Sequence, residues 1–330
     1  MSKRTSLHVI FGCLLAATLA ATLAGTAIAA DPFPTRLVTL VTPYPPGGLA
    51  DSTARQLSMR LSTLWKQSVI VDTRPGANGN VAAAIVAKSP ADGHTLLYAI
   101  PEGLAITKAS GANVGFDPAG DLVPVALVAE SSTVLIVGAD SQFKTFKELM
   151  DYAQAFPGKL TFGSQGQGSQ FHLALERLKI LSNTDIVHVP YKGAAPALTD
   201  LLGGRINMMI ATTTLAAPNV KAGKVRVIAV TSGARLSQFP GAPTVAESGF
   251  AGFSYPVGLG VFVAKGTSKA IVDQLNADVR KVMHEPDLLE ILAQSATSTT
   301  DLTPAEFQAR WSREAQELSQ IIAKANIKFE

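Results

Sequence analysis

Cysteine is almost absent from this sequence of 330 residues, which contains only Cys13. That residue lies in an apolar N-terminal segment with the features of a cleaved signal peptide. Once the segment is removed, the chain can form no disulfide, no thiolate metal site and no thiol nucleophile. Cysteine chemistry is therefore excluded from the work of the mature protein.

An excess of either charge is also lacking. Removing Lys3 and Arg4 from the 28 basic residues leaves 26, against 25 acidic residues, and a net charge of +1. A nearly neutral chain without a basic stripe gives no indication of nucleic-acid binding. No second apolar run long enough to span a membrane follows the N-terminal segment.

The first 30 residues predict secretion. A basic start is followed by an apolar run over residues 7–23 and by small residues that allow cleavage near Ala29 or Ala30. A membrane anchor is the alternative, and it is disfavoured because threonines and a glycine interrupt the run. We predict a signal peptide over residues 1–30.

Strand-like and helix-like segments alternate along the rest of the chain, which argues for mostly parallel sheets flanked by helices. About 300 residues are enough for two such sheets, so we expect a two-lobed α/β protein. The strand clusters at 123–137 and 255–263 predict two crossings between the lobes. Lobe 1 would comprise residues 31–132 and 256–330, and lobe 2 would be the inserted residues 133–255.

Three segments carry a Ser/Thr-x-x-Glu capping box, in which two side chains satisfy the free backbone donors of a helix start. Each predicts the beginning of a helix. The three pairs are Thr145 with Glu148, Thr244 with Glu247, and Thr303 with Glu306.

One stretch near the start of the mature chain indicates an anion site. Residues 42–51 (TPYPPGGLAD) connect a β-branched apolar run, predicted as a buried strand, to a helical pattern over residues 53–65. Gly47 and Gly48 permit an unusual backbone at the point where a helix N-terminus presents free N–H groups and a partial positive charge. We interpret this loop as half of a carboxylate-binding site.

Asp51, at the start of that helix, has two possible roles. An acidic side chain in the first turn stabilises a helix electrostatically, which is the structural explanation. The functional alternative is that Asp51 accepts a hydrogen bond from an amino, hydroxyl or water group of the ligand. Asp51 would repel a bare carboxylate, so in that role it would face a different part of the molecule.

Residues 162–170 (FGSQGQGSQ) repeat the sequence of strand, Gly/Ser-rich turn and helix start. Ser164 and Ser169 add hydroxyl donors, although serine and glycine are also common in helix caps and tight turns. Two such loops, in what we predict to be separate lobes, favour a cleft closed from both sides. Ligands of open α/β sheets bind beyond the carboxyl ends of the strands, where both loops fall.

Tyr191 lies at a third junction of strand, turn and helix. It either lines the cleft and donates through its hydroxyl, or fills the edge of a core. Arg74, in another turn, could pair with a carboxylate, but an arginine beside Pro-Gly is as readily a residue that fixes its own loop.

Catalytic motifs are absent from the sequence. It has no Gly-x-Ser-x-Gly nucleophile motif, no dinucleotide fingerprint and no phosphate-binding P-loop. The histidines outside the N-terminal segment are scattered without metal-ligand spacing. His172, near the second glycine-rich loop, could form a hydrogen bond in the pocket, but a packing role at a helix start is favoured. The sequence therefore predicts neither an enzyme nor a cofactor nor a metal site.

The chain resembles the substrate-binding proteins of the tripartite tricarboxylate transporter system, the TctC or Bug family. The resemblance extends in order over nearly the whole mature chain. Its matching segments are residues 41–48 with Asp51, Ala54 and Arg55, 74–77 with Gly79 and Asn80, 91–97, 156–160, 163–164 with Gly166, Gly168 and Ser169, 188–193, 223–226, 242–244 with 247–249, and 303–304.

The resemblance implies a periplasmic-binding architecture of type II, in which two lobes close on a ligand like a Venus flytrap. Its implied ligands are organic carboxylates: di- and tricarboxylates, acidic amino acids or aromatic acids. The implied contacts come from the two glycine-rich loops and the third junction. The expected ligand-binding residues are Tyr44, Gly47, Gly48, Asp51, Ser164, Gln165, Gly168, Ser169 and Tyr191.

The resemblance also implies a periplasmic monomer that delivers its ligand to the membrane subunits of a tripartite tricarboxylate transporter, without turnover. Two alternatives remain open at this point. The protein could present the bound carboxylate to a signalling partner, or act as a hydrolase in the same cleft. The second is disfavoured because no pair of nucleophile and base is recognisable in the sequence.

Overall fold

The computed structural model of the protein describes residues 33–327. The predicted signal peptide, its cleavage site and Cys13 lie outside the described residues. Between residues 33 and 327, no helix combines the length and the apolar character that a membrane crossing requires.

The described chain alternates strands and helices as the sequence predicts. The strands are β1 (Val38–Thr42), β2 (Val69–Thr73), β3 (Thr95–Ala99), β4 (Leu122–Ser131), β5 (Thr133–Gly138), β6 (Thr161–Ser164), β7 (Val187–Pro190), β8 (Met208–Thr212), β9 (Val225–Val230), β10 (Val257–Ala264) and β11 (Thr297–Thr299). The helices are α1 (Leu49–Trp65), α2 (Asn80–Ala87), α3 (Pro101–Ser110), α4 (Pro118–Asp121), α5 (Phe146–Ala155), α6 (Gln170–Ser182), α7 (Ala194–Leu202), α8 (Thr213–Lys221), α9 (Lys269–Met283), α10 (Pro286–Gln294) and α11 (Pro304–Lys324).

The strands form two mixed sheets, and most strands of each sheet point in the same direction. The first has the order β11-β4-β10-β3-β1-β2, and the second has the order β7-β6-β8-β5-β9. In the first sheet β10 and β11 run against the other four strands, and in the second only β5 is antiparallel to its neighbours. The predicted α/β class with two sheets is confirmed.

The chain passes between the sheets twice. It leaves the first sheet at Ser132, between β4 and β5, and returns through residues 231–256 before β10. The sheets therefore share the chain through two connections. Where one lobe ends and the other begins remains a prediction.

Helix α6 contributes to two hydrophobic cores. Phe171 belongs to a core under the second sheet, together with Phe162. Leu173, two residues later, is fully buried in a core of the first sheet with Phe262 and Trp311. Because apolar side chains lose accessible area on both sides of α6, this helix is a third connection between the sheets, made by packing and not by the chain path.

Two of the three predicted capping boxes open helices. Thr145 with Glu148 caps α5, and Thr303 with Glu306 caps α11. The box of Thr244 and Glu247 also forms both of its hydrogen bonds, at 2.8 and 3.0 Å. Only a turn follows it, however, because Gly249 adopts a φ of 102° that ends any helical path.

Candidate functional site

The first loop joins β1 to α1 and leaves the start of that helix open. Gly48 is its N-cap and has no side chain to accept from the first turn. Within residues 33–327, no acceptor is recorded for the backbone N–H groups of Leu49, Ala50 and Asp51. A side chain added at Gly47 or Gly48 would meet no atom within 4 Å, so these donors border open space. Free N–H groups at a positive helix end suit an anion.

Asp51 braces the same loop. Its carboxylate accepts from the Gly47 N–H at 3.1 Å and from Arg55 Nε at 2.9 and 3.1 Å. The hydrogen bond from Arg55 holds the pKa of Asp51 below its ordinary value. Since the side chain is only 6 % exposed and both oxygens have partners, the geometry supports the structural explanation of this residue.

Tyr44 ties the first loop to the next strand-helix junction. Its hydroxyl accepts from the Ile100 N–H at 2.8 Å, and burial raises the pKa of Tyr44 above its ordinary value. Ile100 in turn packs against the core of the second sheet, which contains Phe171 at the start of α6. Through these contacts the first loop adjoins the element that carries the second one.

The second loop, between β6 and α6, is held by its own side chains. Ser164 is 1 % exposed, and its Oγ lies 2.9 Å from the Gly166 carbonyl oxygen and 3.1 Å from the Gly166 nitrogen. Ser169 caps α6 by accepting from the His172 N–H at 3.3 Å. Both serines therefore shape the loop, and the buried hydroxyl of Ser164 is directed inward.

The backbone N–H groups of this loop alternate in direction. The N–H groups of Gly166 and Gly168 point inward, to Ser164 Oγ and to His172 Nδ1 at 3.0 Å. For the N–H groups of Gln165 and Gln167 no acceptor is recorded among the residues that the structure describes, and both residues are exposed. The backbone donors of this loop without a recorded acceptor are thus on the glutamines, whereas the Gly168 N–H is occupied by His172.

Tyr191 follows β7, the neighbour of β6. Its hydroxyl donates to Asp200 Oδ2 at 2.8 Å, and its ring packs against a core of the second sheet. Gly163 allows this packing, because a Cβ there would come within 3.3 Å of the ring. The geometry supports the alternative in which Tyr191 fills the edge of a core.

Two residues that the sequence did not single out as a pair stand beside the second loop. His172 on α6 and His188 on β7 have ring centroids 3.6 Å apart and planes 8° from parallel. For His172 the sequence favoured a packing role over a hydrogen bond in the pocket. The regular pairing of Phe162 with His188 between β6 and β7 places the second ring beside the loop, and this pairing is not visible from the sequence.

The family model described as tripartite tricarboxylate transporter family receptor matches residues 53–327 of this chain. The chain belongs to this family. A relative from Pseudomonas sp. strain P51, named as a UPF0065 protein in the tcbD-tcbE intergenic region, is 38 % identical over 318 residues, which cover 96 % of this chain and 94 % of the relative.

Solved structures of related proteins have the same fold as this chain. The R. palustris protein Rpa4515 with adipate is 33 % identical, with a TM-score of 0.77 over 90 % of this chain and 99 % of its own. MatC (Rpa3494) from Rhodopseudomonas palustris with bound malate is 27 % identical, with a TM-score of 0.73 over 88 % of this chain and all of its own. The TctC family consists of periplasmic solute-binding proteins, and this chain has their family features and their two-lobed fold.

One contact in this receptor resembles catalytic machinery and corrects a statement made from the sequence. Ser164 Oγ lies 2.6 Å from His188 Nε2, so a pair of hydroxyl and imidazole does exist. The hydroxyl is buried, and burial lowers the pKa of His188 to about 4, which makes it a weak base. No carboxylate among the described residues is recorded as a hydrogen-bond partner of His188, whereas a catalytic triad has one in the plane of the imidazole. Within residues 33–327, no group of three or more potential metal ligands occurs.

Proposed function

We propose that this protein captures an organic carboxylate in a cleft between its two lobes and delivers it to the membrane subunits of a tripartite tricarboxylate transporter. The observation that carries the proposal is the uncapped N-terminus of α1. Three consecutive backbone donors there have no acceptor among the described residues, and they border the open space beside Gly47 and Gly48. A carboxylate is the ligand group that such donors bind.

The related structures support this ligand class. Adipate and malate, bound to the two relatives, each carry two carboxylates separated by a short carbon chain. In our proposal one ligand carboxylate accepts from Leu49 and Ala50 at the first loop. The N–H groups of Gln165 and Gln167 approach the ligand from the second loop.

The nine ligand-binding residues predicted from the sequence receive different roles in this proposal. Gly47 and Gly48 admit the ligand to the helix end, and Gln165 donates to it directly. The others shape the two loops from behind: Tyr44, Asp51, Ser164, Gly168, Ser169 and Tyr191.

Closure of the lobes excludes water from the cleft. Hydrogen bonds to a carboxylate strengthen when solvent is removed, so the ligand stabilises the closed form. The closed form then presents a surface that the open form lacks, and the transporter subunits would recognise that surface.

A proline substitution tests the first loop with little structural disturbance. Leu49 is the first residue of α1, and Gly48 before it is extended, with φ −91° and ψ 172°. Proline is favoured at such a position and removes only the N–H group. We expect Leu49→Pro to weaken dicarboxylate binding roughly tenfold or more relative to Leu49→Ala, since hydrogen bonds to charged groups contribute about 1.5–3 kcal/mol.

The measurement is titration calorimetry with succinate, malate, adipate, citrate, glutamate and benzoate, each compared with its uncharged amide. Equal affinity of Leu49→Pro and Leu49→Ala would remove α1 from the site. Failure of the wild-type protein to bind any carboxylate of the panel would overturn the proposed ligand class.

A further inference from the structure

The stacked histidines hold both ends of the second loop. His188 Nε2 contacts Ser164 Oγ at 2.6 Å, where the loop begins. His172 Nδ1 accepts from the Gly168 N–H at 3.0 Å, where the loop ends. The rings lie parallel with their centroids 3.6 Å apart, so each ring limits the movement of the other.

The hydrogen bonds fix the state of His172. A nitrogen that accepts from a backbone N–H cannot carry a proton, so Nδ1 is the unprotonated nitrogen. The other nitrogen faces Glu176 Oε1 at 3.7 Å, and Glu176 also pairs with Lys179 at 2.9 Å. The His172 side chain is buried, at 3 % exposure. Burial lowers the pKa of His188 most, and His172 lowers it further; of the charged groups on α6, Glu176 raises this pKa and Lys179 lowers it.

The contacts at the loop ends determine which backbone donors reach the cleft. Because Ser164 and His172 take the N–H groups of Gly166 and Gly168, the loop has a strict alternation of inward and outward donors. The outward ones belong to Gln165 and Gln167. If Gly168 lost its acceptor, the buried N–H would turn to find another partner and the alternation would break.

We propose that His172 and His188 are positioning residues for the ligand, which they do not touch. Through their hydrogen bonds at its two ends they hold the Ser164–Ser169 loop so that the N–H groups of Gln165 and Gln167 face the cleft. This inference rests on the proposed function, because it deepens the account of the same site.

Two matched substitutions at each position distinguish the effect of the hydrogen-bonding nitrogen from the effect of the stacked ring. His172→Asn places a polar atom where Nδ1 stands, whereas His172→Phe keeps a stacked ring and removes the acceptor. His188→Gln and His188→Phe make the same comparison at Nε2. We expect both phenylalanine variants to lose roughly tenfold or more in carboxylate affinity, and the amide variants to stay within about threefold of wild type.

The experiment combines titration calorimetry with the ¹H–¹⁵N resonance of the Gly168 amide in the ligand-free protein. We expect that resonance to move in His172→Phe and to return towards the wild-type position in His172→Asn. Wild-type affinity in both folded phenylalanine variants would overturn the proposal, and so would equal losses in the amide and phenylalanine variants.

The two proposals can fail separately. If the wild-type protein binds no carboxylate, the proposed function fails, and the Gly168 resonance still reports whether His172 sets the loop. If the wild-type protein binds and His172→Phe binds equally well with an unmoved Gly168 resonance, only the positioning role fails. Should a His172 variant not fold, the His188 pair of variants decides the outcome.

Discussion

Thr133 and Thr231 join the two chain connections between the sheets through their hydroxyl groups, which lie 2.7 Å apart. Thr133 begins the second sheet directly after the first connection, and Thr231 begins the return. The Thr133 hydroxyl also donates to the Tyr255 carbonyl oxygen at 2.6 Å. Both threonines are almost completely buried, so this cluster fixes the two connections at one point.

We predict that Thr133→Val destabilises the protein more than Thr231→Val does. The first change leaves both the Thr231 hydroxyl and the Tyr255 carbonyl without a partner. Each buried polar group without a partner lowers the free energy of unfolding by about 1–3 kcal/mol. The second change removes only one of the two contacts. The double variant should unfold close to the temperature of Thr133→Val alone, because the shared bond is lost only once.

Scanning calorimetry of the four proteins gives these unfolding temperatures. A loss of about 1 kcal/mol in the free energy of unfolding lowers the unfolding temperature by roughly 2–4 °C in a domain of about 150–250 residues. Additive losses in the double variant would show that the two hydroxyls act independently.

A second prediction concerns Glu102, which lies on α3 and faces the cavity that also contains Arg177 and Tyr255, with a volume of about 300 Å³. Burial raises the pKa of Glu102 from 4.5 to about 8, and the neighbouring carboxylate of Glu314 adds to the effect. No partner within residues 33–327 is recorded for its Oε2 atom. The folded protein therefore binds a proton at Glu102 that the unfolded chain releases.

The sign of the pH effect follows from this difference. Between pH 4.5 and about 8 the folded state holds the proton more tightly, so stability falls as the pH rises through this window. Glu102→Gln should unfold at a temperature closer to wild type at pH 5 than at pH 8.5, where the variant should be the more stable by a few degrees. Unfolding temperatures measured at half-unit pH steps test this, with the exposed Glu290→Gln as the control. A difference that does not vary with pH would contradict the prediction.

A third prediction decides between the two roles of Asp51. If the carboxylate braces the loop, Asp51→Asn keeps an acceptor for the Gly47 N–H and should bind dicarboxylates within about threefold of wild type. Asp51→Ala leaves Gly47 without that acceptor and should bind roughly tenfold more weakly. The ion pair with Arg55 contributes little, because Arg55 is 54 % exposed.

Calorimetric titration with succinate and with glutamate distinguishes the outcomes. A selective loss of glutamate binding in Asp51→Asn would instead show that the carboxylate accepts from the ligand's amino group. Arg55→Gln, which removes the charge and leaves Asp51 in place, is the matched control.

Local chemistry explains why much of the fold was predictable. The capping boxes at Thr145 and Thr303 specify their helix starts within four residues of sequence. Helices α3 and α8 are not predictable from local propensity, because Gly103 and Pro218 lie inside them and oppose helix formation. Tertiary contacts override this, since α3 is fixed by the hydrogen bond of 2.9 Å from Trp311 Nε1 to the Pro101 carbonyl oxygen.

The candidate site, like the fold, was predictable only where local sequence determines it. The two glycine-rich loops could be located from the sequence, because a strand, a flexible turn and a helix start are local features. The directions of their side chains could not be predicted. Ser164 turns inward because β7 brings His188 beside it, and Tyr191 turns to Asp200 because the helix α7 returns past the ring.

The position of β10 has a consequence for the order of folding. This strand comes from near the end of the chain, yet it lies between β3 and β4, which are formed by residues 95–131. Until residues 257–264 arrive, β3 and β4 have no shared neighbour, and each exposes an edge that can pair with another chain. The second sheet, by contrast, is continuous in sequence from β5 to β9. Nascent chains therefore complete the second sheet first, and the first sheet is vulnerable to aggregation until β10 is inserted between β3 and β4.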